Sequence, residues 1–272
     1  MHMICFPNAK INIGLNIAER RNDGYHNIET VYYPLGLSDI LEFVVSESMT
    51  KLSCSGYLPE SDNENNLVLM AYRLLKNDFH FLPELNIHLH KIIPAGAGLG
   101  GGSSDAAFML RMLNDHFELG ISYSDIINYA LSLGSDCPFF LMNRPCFATG
   151  RGEQLEELNL NLKNKFVIIV YPGIQVNTKE AYQSISPMKP DNSLKDLVMS
   201  PVSVWKDIVN NDFEKIIPER YPEIMNIKNR LYDYGAEYAQ MSGSGSSVYG
   251  IFSQEASMEP FPDNYFTWKG LL

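Results

Sequence analysis

Hydrophobic and polar residues alternate along parts of the N-terminal half of the chain, and this alternation predicts β-strands. Between residues 11 and 17, isoleucine or leucine occupies every second position, which is the pattern of a strand with one buried face. The residues Asn22-Asp23-Gly24 predict a turn after it. The same reasoning predicts further strands at residues 28–35, 39–45, 51–54 and 84–93.

Helical spacing is found between and after these strands. Asn65 and Asn66 are suitable N-caps for a helix predicted over residues 67–76. Two later segments also predict helices, one with an apolar stripe at positions 106, 110, 113 and 117 and one that ends at Gly134.

The C-terminal half has a different pattern. Residues 166–171 form a continuous apolar run, as in a strand that is buried on both faces. Several helix-like segments follow, and then two short strands are predicted around Met241 to Phe252. The change in composition near residues 155–165 predicts an α+β protein of two lobes, residues 1–155 and 156–272.

Composition narrows the class of protein. The 272 residues are 45% hydrophobic and 19% charged, which is sufficient apolar material for a folded core. The apolar runs are too short for a membrane-spanning helix, and the N-terminus becomes polar too early for a signal peptide. The four cysteines are widely spaced and form no CxxC pair, which favours reduced thiols and a cytoplasmic location over disulfides or a zinc site.

The charge of the chain disfavours some partners. The net charge is −11, from 32 acidic and 21 basic residues. Proteins that bind many nucleic-acid phosphates usually carry the opposite balance, so we expect neither a nucleic acid nor a membrane as a partner. A small anionic ligand remains compatible, because a few local donors can outweigh a distant acidic surface.

A glycine-rich segment, PAGAGLGGGSS at residues 94–104, lies between a predicted strand and a predicted helix. Its glycines allow backbone N–H groups to converge on an anion. Ser103 and Ser104 open the helix, whose N-terminus adds partial positive charge. We therefore predict a phosphate-binding loop, with ATP bound by Pro94, Ala95, Gly96, Ala97, Gly98, Leu99, Gly100, Gly101, Gly102, Ser103 and Ser104.

Two other phosphate loops fit this segment less well. Gly96, Gly98 and Gly101 match the G-x-G-x-x-G pattern of dinucleotide-binding oxidoreductases. However, the preceding strand alternates, and Glu118, the acidic residue near the expected distance, follows a helix instead of a strand. A Walker loop is disfavoured because Gly102 stands where its lysine should be.

Three segments resemble signatures of the kinase superfamily that includes galactokinase, homoserine kinase and mevalonate kinase, namely residues 7–35, 94–104 and 241–249. The first, with AKINIGLNI followed by RRNDGYHNIETV, is similar to the 4-diphosphocytidyl-2-C-methyl-D-erythritol kinase family of the non-mevalonate isoprenoid pathway. Residues 133–140 (LGSDCPFF) and 148–156 (ATGRGEQLE) match the same family, and the resemblance extends to about residue 252.

The resemblance implies a two-lobed α+β small-molecule kinase, with an N-terminal lobe like ribosomal protein S5 and a ferredoxin-like C-terminal lobe. It implies transfer of the γ-phosphoryl group of ATP to the 2-hydroxyl of a cytidine diphosphate-linked polyol. We expect Mg²⁺ to be held mostly by phosphates and water, and we assign it no protein carboxylate. His88 and His90 share a strand face, and we interpret them as solvent-facing residues, not metal ligands.

The resemblance also assigns catalytic roles. It implies that Asp136 is the general base, for which a turn carboxylate at a helix end is the alternative. It implies that Lys10 adjoins this carboxylate, where an ammonium would keep it ionised and stabilise charge during transfer. The alternative for Lys10 is a solvated lysine at a sheet edge.

Further residues are expected to bind the substrates. The resemblance implies that Tyr25 stacks on the cytosine, that His26 hydrogen-bonds to it and that Tyr182 is the second stacking face. Core or hairpin positions are the alternatives for these three. The remaining candidates are Asn12 and Thr178 for the substrate, Arg151 for its diphosphate or else a surface arginine, and Asn65 for the ATP base or ribose or else a helix cap.

Two other functions remain open from the sequence. One is a kinase of another small alcohol, such as homoserine or mevalonate; Tyr25 and His26 disfavour it, because neither substrate carries a base. The other is a catalytically silent nucleotide-binding module on the same scaffold, which the intact Lys10 and Asp136 disfavour.

Overall fold

A computed structural model describes residues 2–57 and 65–272 of the chain. The strands are β1 (His2–Cys5), β2 (Asn8–Arg20), β3 (His26–Ser38), β4 (Ile40–Val45), β5 (Lys51–Gly56), β6 (Leu85–Lys91), β7 (Cys146–Thr149), β8 (Gln154–Glu157), β9 (Phe166–Tyr171), β10 (Tyr238–Met241), β11 (Val248–Phe252) and β12 (Phe266–Leu271). The helices are α1 (Leu67–Asp78), α2 (Gly101–His116), α3 (Tyr123–Leu133), α4 (Cys137–Met142), α5 (Thr178–Gln183), α6 (Leu194–Leu197), α7 (Val202–Ile208), α8 (Ile217–Arg220) and α9 (Pro222–Asp233). Over the described ranges, none of the helices has the length and apolar character needed to cross a membrane.

The chain forms two compact units that interleave along the sequence. The first contains Met1–Ala9, Leu37–Ala95 and Gly100–Asn143, and the second contains Lys10–Gly36, Gly96–Leu99 and Arg144–Leu272. The sequence predicts two continuous lobes divided near residue 155, and the units differ from this division. The reason is strand pairing: β2 and β3 belong to the same sheet as β7 and β8, which come much later in the chain.

In the first unit, one sheet has the strand order β1-β4-β6-β5. Strand β4 is antiparallel to β1 and β6, and β5 is parallel to β6. Buried and more exposed residues alternate along β6, as predicted. Helices α1 and α2 pack their buried residues against this sheet to form one hydrophobic core. Helix α1 begins after Asn66, whose side chain accepts a hydrogen bond from the N–H of Val68, which confirms the predicted cap.

The second unit contains two sheets, with the strand orders β2-β3-β7-β8 and β10-β11-β9-β12. Strand β9 is antiparallel to both β11 and β12, and its four middle residues are buried, as the apolar run predicts. The sequence pattern misses β7, β8 and β12. Together the sheets and helices of the two units confirm the α+β class.

Strand β2 is present as predicted, but its polar face is not exposed to solvent. Residues 8–15 are all buried. Asn12, on the second face, bonds instead to a neighbouring strand: its Nδ2 donates to Oγ1 of Thr30 in β3 at 2.9 Å, and Thr30 Oγ1 donates to the Gly14 carbonyl oxygen of β2 at 2.6 Å. The prediction of a half-buried strand is therefore wrong in its burial.

Candidate active site

The glycine loop connects the end of β6 to the start of α2, as predicted. Gly96, Gly98 and Gly100 have φ values of 68°, 79° and 73°, a backbone conformation that favours glycine. Helix α2 begins at Gly101, two residues earlier than predicted, with Gly100 as its N-cap. The first N–H groups of a helix have no intrahelical acceptor and carry partial positive charge, so this start is suited to phosphate oxygens.

The tip of the loop, residues 96–99, is anchored by the third signature. Ser242 Oγ donates to the Gly98 carbonyl oxygen at 2.8 Å, and the N–H of Ser247 donates to the Ala97 carbonyl oxygen at 3.1 Å. A Cβ atom on Gly98 would lie 2.2 Å from the Ser242 carbonyl oxygen. This close approach therefore requires glycine at position 98.

Lys10 is held beside the same part of the loop. It is only 4% exposed, so it is not a solvated lysine at a sheet edge. Its Nζ donates to Asn12 Oδ1 at 2.6 Å and to the Gly98 carbonyl oxygen at 3.2 Å. The ammonium also lies 5.1 Å from the ring centroid of Tyr32. These contacts fix a positive charge next to the tip of the glycine loop.

Asn12 orients this lysine. Its side-chain amide joins Lys10 to Thr30, and its backbone N–H donates to Ser242 Oγ at 3.2 Å. Substrate contact by Asn12 stays a prediction. The sequence reasoning does not single out Thr30 or Ser242, although Thr30 lies in the first signature and Ser242 in the third.

Asp136 lies between α3 and α4 in the first unit. It is half-buried and precedes α4 as its N-cap residue, yet its side chain makes no capping hydrogen bond to that helix. The structure therefore gives no support to a capping role for this carboxylate. Burial raises the pKa of the adjacent Cys137 thiol to about 12, so this cysteine stays protonated. Lys10 belongs to the second unit, and its pairing with Asp136 stays a prediction.

Four of the predicted substrate residues form two contact pairs within the second unit. Tyr25 is 56% exposed, and the Arg151 guanidinium lies 4.9 Å from its ring centroid. His26 stacks on Tyr182, with ring centroids 5.1 Å apart. Burial, together with a smaller effect of the charge of Arg20, lowers the pKa of His26. The arrangement provides aromatic surface, a neutral imidazole and a cation in one unit.

The two other predicted binding residues, Thr178 and Asn65, lie at or just before the start of a helix. Thr178 is exposed at the start of α5, where its hydroxyl lies 2.9 Å from Ser244 Oγ. Asn65 is exposed just before the cap of α1. His88 and His90 are half-buried and hydrogen-bond to Ser55 of β5, at 3.0 and 2.8 Å. Both histidines lie on the more exposed face of β6, as interpreted from the sequence, opposite the buried Ile87 and Leu89.

Known proteins match this chain along most of its length. Residues 66–144 match the family described as "GHMP kinases N terminal domain", and residues 203–261 match "GHMP kinases C terminal". A curated protein of Bacteroides thetaiotaomicron named 4-diphosphocytidyl-2-C-methyl-D-erythritol kinase is 50% identical to this chain, over 99% of this chain and 100% of that protein. The chain belongs to the 4-diphosphocytidyl-2-C-methyl-D-erythritol kinase family.

A further relative and two solved structures agree with this assignment of family and fold. A protein of the same name from Cytophaga hutchinsonii is 44% identical over 96% of both chains. A solved 4-(cytidine 5'-diphospho)-2C-methyl-D-erythritol kinase has a TM-score of 0.79 at 31% identity, covering 93% of this chain and 91% of that chain. Methanococcus jannaschii mevalonate kinase has a TM-score of 0.66 at 14% identity, covering 100% of this chain and 99% of that chain, which is a likeness of fold alone. The predicted family is confirmed, and membership of a kinase family implies ATP as co-substrate.

Proposed function

We propose that this protein transfers the γ-phosphoryl group of ATP to the 2-hydroxyl of 4-diphosphocytidyl-2-C-methyl-D-erythritol. The observation that carries the proposal is the buried ammonium of Lys10, which is fixed between Asn12 and the carbonyl group of Gly98. This geometry occurs in a chain that is half identical, over nearly its full length, to a protein named for this kinase activity. The partners are small molecules, and the net charge of −11 disfavours a nucleic acid.

The triphosphate of ATP binds to the glycine loop and to the start of α2. Mg²⁺ enters with ATP as part of the substrate. Within the described ranges there is no group of three or more His, Cys, Asp and Glu side chains suited to a metal ion. The loop offers backbone N–H groups, which bind phosphate oxygens and not cations. We expect the Mg²⁺ ion to be held mostly by the phosphates and water.

The phosphoryl transfer uses one base and one fixed cation. Asp136 accepts the proton of the 2-hydroxyl while the oxygen of that hydroxyl attacks the γ-phosphorus. The bond from the γ-phosphorus to the β,γ-bridging oxygen breaks, and ADP leaves. Lys10 stabilises the negative charge that moves during this step, because its ammonium is already oriented before the substrates arrive.

The cytidine diphosphate part of the substrate selects this alcohol among others. Tyr25 supplies exposed aromatic surface for the base. His26, which is neutral at pH 7, supplies directed hydrogen bonds to the edge of the base. The guanidinium of Arg151, which lies over Tyr25, is suited to the diphosphate.

A panel assay of ATP consumption tests the proposal. The acceptors are 4-diphosphocytidyl-2-C-methyl-D-erythritol, the same polyol without its cytidine, homoserine and mevalonate. We expect turnover with the first acceptor only, and its loss in Asp136→Asn. Turnover confined to homoserine or mevalonate would identify a kinase of another alcohol. ATP binding without turnover of any acceptor would identify a silent nucleotide-binding module.

A further inference from the structure

A buried ion cluster connects β6 to α2 in the first unit. Lys91, the last residue of β6, forms ion pairs with Asp39 and, at 2.6 Å, with Asp105 of α2. Asp39, Lys91 and Asp105 are 0%, 6% and 2% exposed. We call these three residues the loop-base cluster. None of them takes part in the phosphoryl transfer described above.

The cluster fixes the chain where it enters the glycine loop. Asp39 Oδ1 accepts hydrogen bonds from the backbone N–H groups of Ile92 and Ile93, at 2.5 and 2.8 Å. These two residues directly precede Pro94, the first residue of the loop. The start of the loop is therefore held by a carboxylate that comes from a distant part of the sequence.

The same cluster reaches the other end of the loop. Lys91 Nζ lies 3.2 Å from the position that a Cβ atom would occupy on Gly101, the first residue of α2. Asp105 lies four residues further along this helix and accepts a hydrogen bond from the same Nζ. The Lys91 ammonium thus contacts two carboxylates. Asp39 hydrogen-bonds to the residues that directly precede the loop, and Asp105 lies on the helix that follows it.

The energetics of the cluster indicate that it positions the elements that it joins more than it stabilises the fold. One ammonium faces two carboxylates, and Asp105 Oδ1 has no hydrogen-bond partner among the described residues. Burial raises the pKa of Asp105 to about 7, against the opposing charge of Lys91. A buried ion pair contributes little net stability compared with packed apolar side chains. Its charge-assisted hydrogen bonds are nevertheless short and directional, so they constrain the elements that they join.

We propose that Lys91 is a positioning residue for phosphoryl transfer, because its ammonium sets the separation between the entry and the exit of the glycine loop. The backbone N–H groups of the loop are therefore already oriented towards the phosphate site before ATP binds. This inference rests on the proposed function, in which the loop binds the triphosphate. Lys91 acts on ATP through the loop backbone and not by direct contact.

The test compares Lys91→Met with Lys165→Met. Lys165 forms an ion pair with Glu237 at 2.7 Å in the second unit, outside the glycine loop, and is the control for the loss of a lysine that pairs with a carboxylate. We expect Lys91→Met to raise the KM for ATP on the order of tenfold, as a misplaced binding group does, and to leave the KM for the polyol unchanged. Hydrogen exchange of the amides at residues 92–104 should be faster in ligand-free Lys91→Met. Lys165→Met should change neither property.

Removal of Lys91 leaves two buried carboxylates without their cation, so this variant could fail to fold. The triple variant Lys91→Met, Asp39→Asn, Asp105→Asn removes those charges and keeps the side-chain shapes. We expect it to fold and still to show the raised KM for ATP and the faster exchange. A triple variant with wild-type KM for ATP would overturn the proposal, and so would equal changes in the KM of both substrates.

Failure of the proposed function has a different signature. In the wild-type protein, ADP should slow exchange at residues 96–104. If it does not, the loop is not the nucleotide site, and the proposed function fails together with the inference. If the wild type responds and turns over the cytidine substrate while the variants keep the wild-type KM for ATP, only the positioning role of Lys91 is wrong.

Discussion

The imidazole of His26 stacks on the ring of Tyr182, with the centroids 5.1 Å apart and the planes inclined by 16°. Tyr182 also meets Phe213 edge-on at 4.9 Å and is half-buried, whereas Tyr25 exposes 56% of its surface. The two tyrosines therefore differ in what they offer to a base. Tyr25 presents aromatic surface, and Tyr182 supports the histidine.

The first prediction follows from this difference. Tyr25→Ala should weaken CDP binding by about 1–3 kcal/mol, because it removes a stacking surface. Tyr182→Ala should weaken it less, since that ring acts mainly by holding His26. Calorimetric titration with CDP measures both, and Tyr25→Phe, which keeps the ring, should bind as the wild type does. A larger loss in Tyr182→Ala would mean that Tyr182 is itself the main stacking face.

A second prediction concerns pH. Burial first, and then the charge of Arg20, lower the pKa of His26 below its ordinary 6.5, so the ring is neutral at pH 7 and offers one donor and one acceptor. As the pH falls through this lowered pKa, the imidazolium forms and the acceptor is lost. The KM for the cytidine substrate should therefore be flat above pH 6.5 and rise below it.

His26→Gln is the control for this effect, because glutamine keeps a donor and an acceptor but does not titrate. Its KM should not rise over the same pH range. If the variant and the wild type share one pH profile, the titrating group is not His26. His26→Ala should in addition narrow the difference in affinity between CDP and UDP, since a directed hydrogen bond is what distinguishes the two bases.

The third prediction tests the catalytic pair. Asp136→Asn should lower kcat by about 10²–10⁴, the usual contribution of a general base, while ADP still binds. Lys10→Ala should also lower kcat. If the two residues act as one unit in phosphoryl transfer, the double variant should be little slower than the worse single variant. Additive losses would show independent roles, and an Asp136→Asn enzyme that keeps most of its kcat would exclude Asp136 as the base.

The fourth prediction compares two glycines of one loop. In Gly98→Ala, a Cβ atom at a φ of 79° would lie 2.2 Å from the Ser242 carbonyl oxygen, so the melting temperature should fall and the KM for ATP should rise. In Gly102→Ala, the Cβ atom would meet Leu67 Cδ1 at 3.7 Å, an ordinary contact. Alanine favours a helix over glycine by about 1 kcal/mol, so this variant should not melt earlier. Equal melting temperatures would contradict the close approach at Gly98.

Local sequence patterns predicted the elements whose shape depends on near neighbours. The alternation in β6, the cap at Asn66 and the glycine loop are all correct, because each depends on a few consecutive residues. Strands β7 and β8 have only four residues each, too few for a periodic signal. Strand β12 forms by pairing with β9, which lies far away in the sequence.

The buried polar groups were harder to predict, because their partners are distant in sequence. A polar residue in an alternating strand is usually exposed, and this rule fails for Asn12, whose partners include Thr30 and Ser242. Nothing near Asp39 indicates that it accepts hydrogen bonds from Ile92 and Ile93. Composition and spacing therefore predicted the place of the loop and its backbone conformation, but not the contacts that support it.

The interleaving of the two units has a consequence for protein synthesis. The chain passes from one unit to the other after residues 9, 36, 95, 99 and 143. On the ribosome, β2 and β3 emerge early, but β7, which pairs with β3 through Ala148 and Thr30, emerges only after the whole first unit has been made. During that interval the nascent chain carries apolar strands without the rest of their sheet, a state that is prone to aggregation. To fold, the second unit must bring together β3 and β7, which are separated in the sequence by most of the first unit. We therefore expect the folding of the second unit to be the slow step.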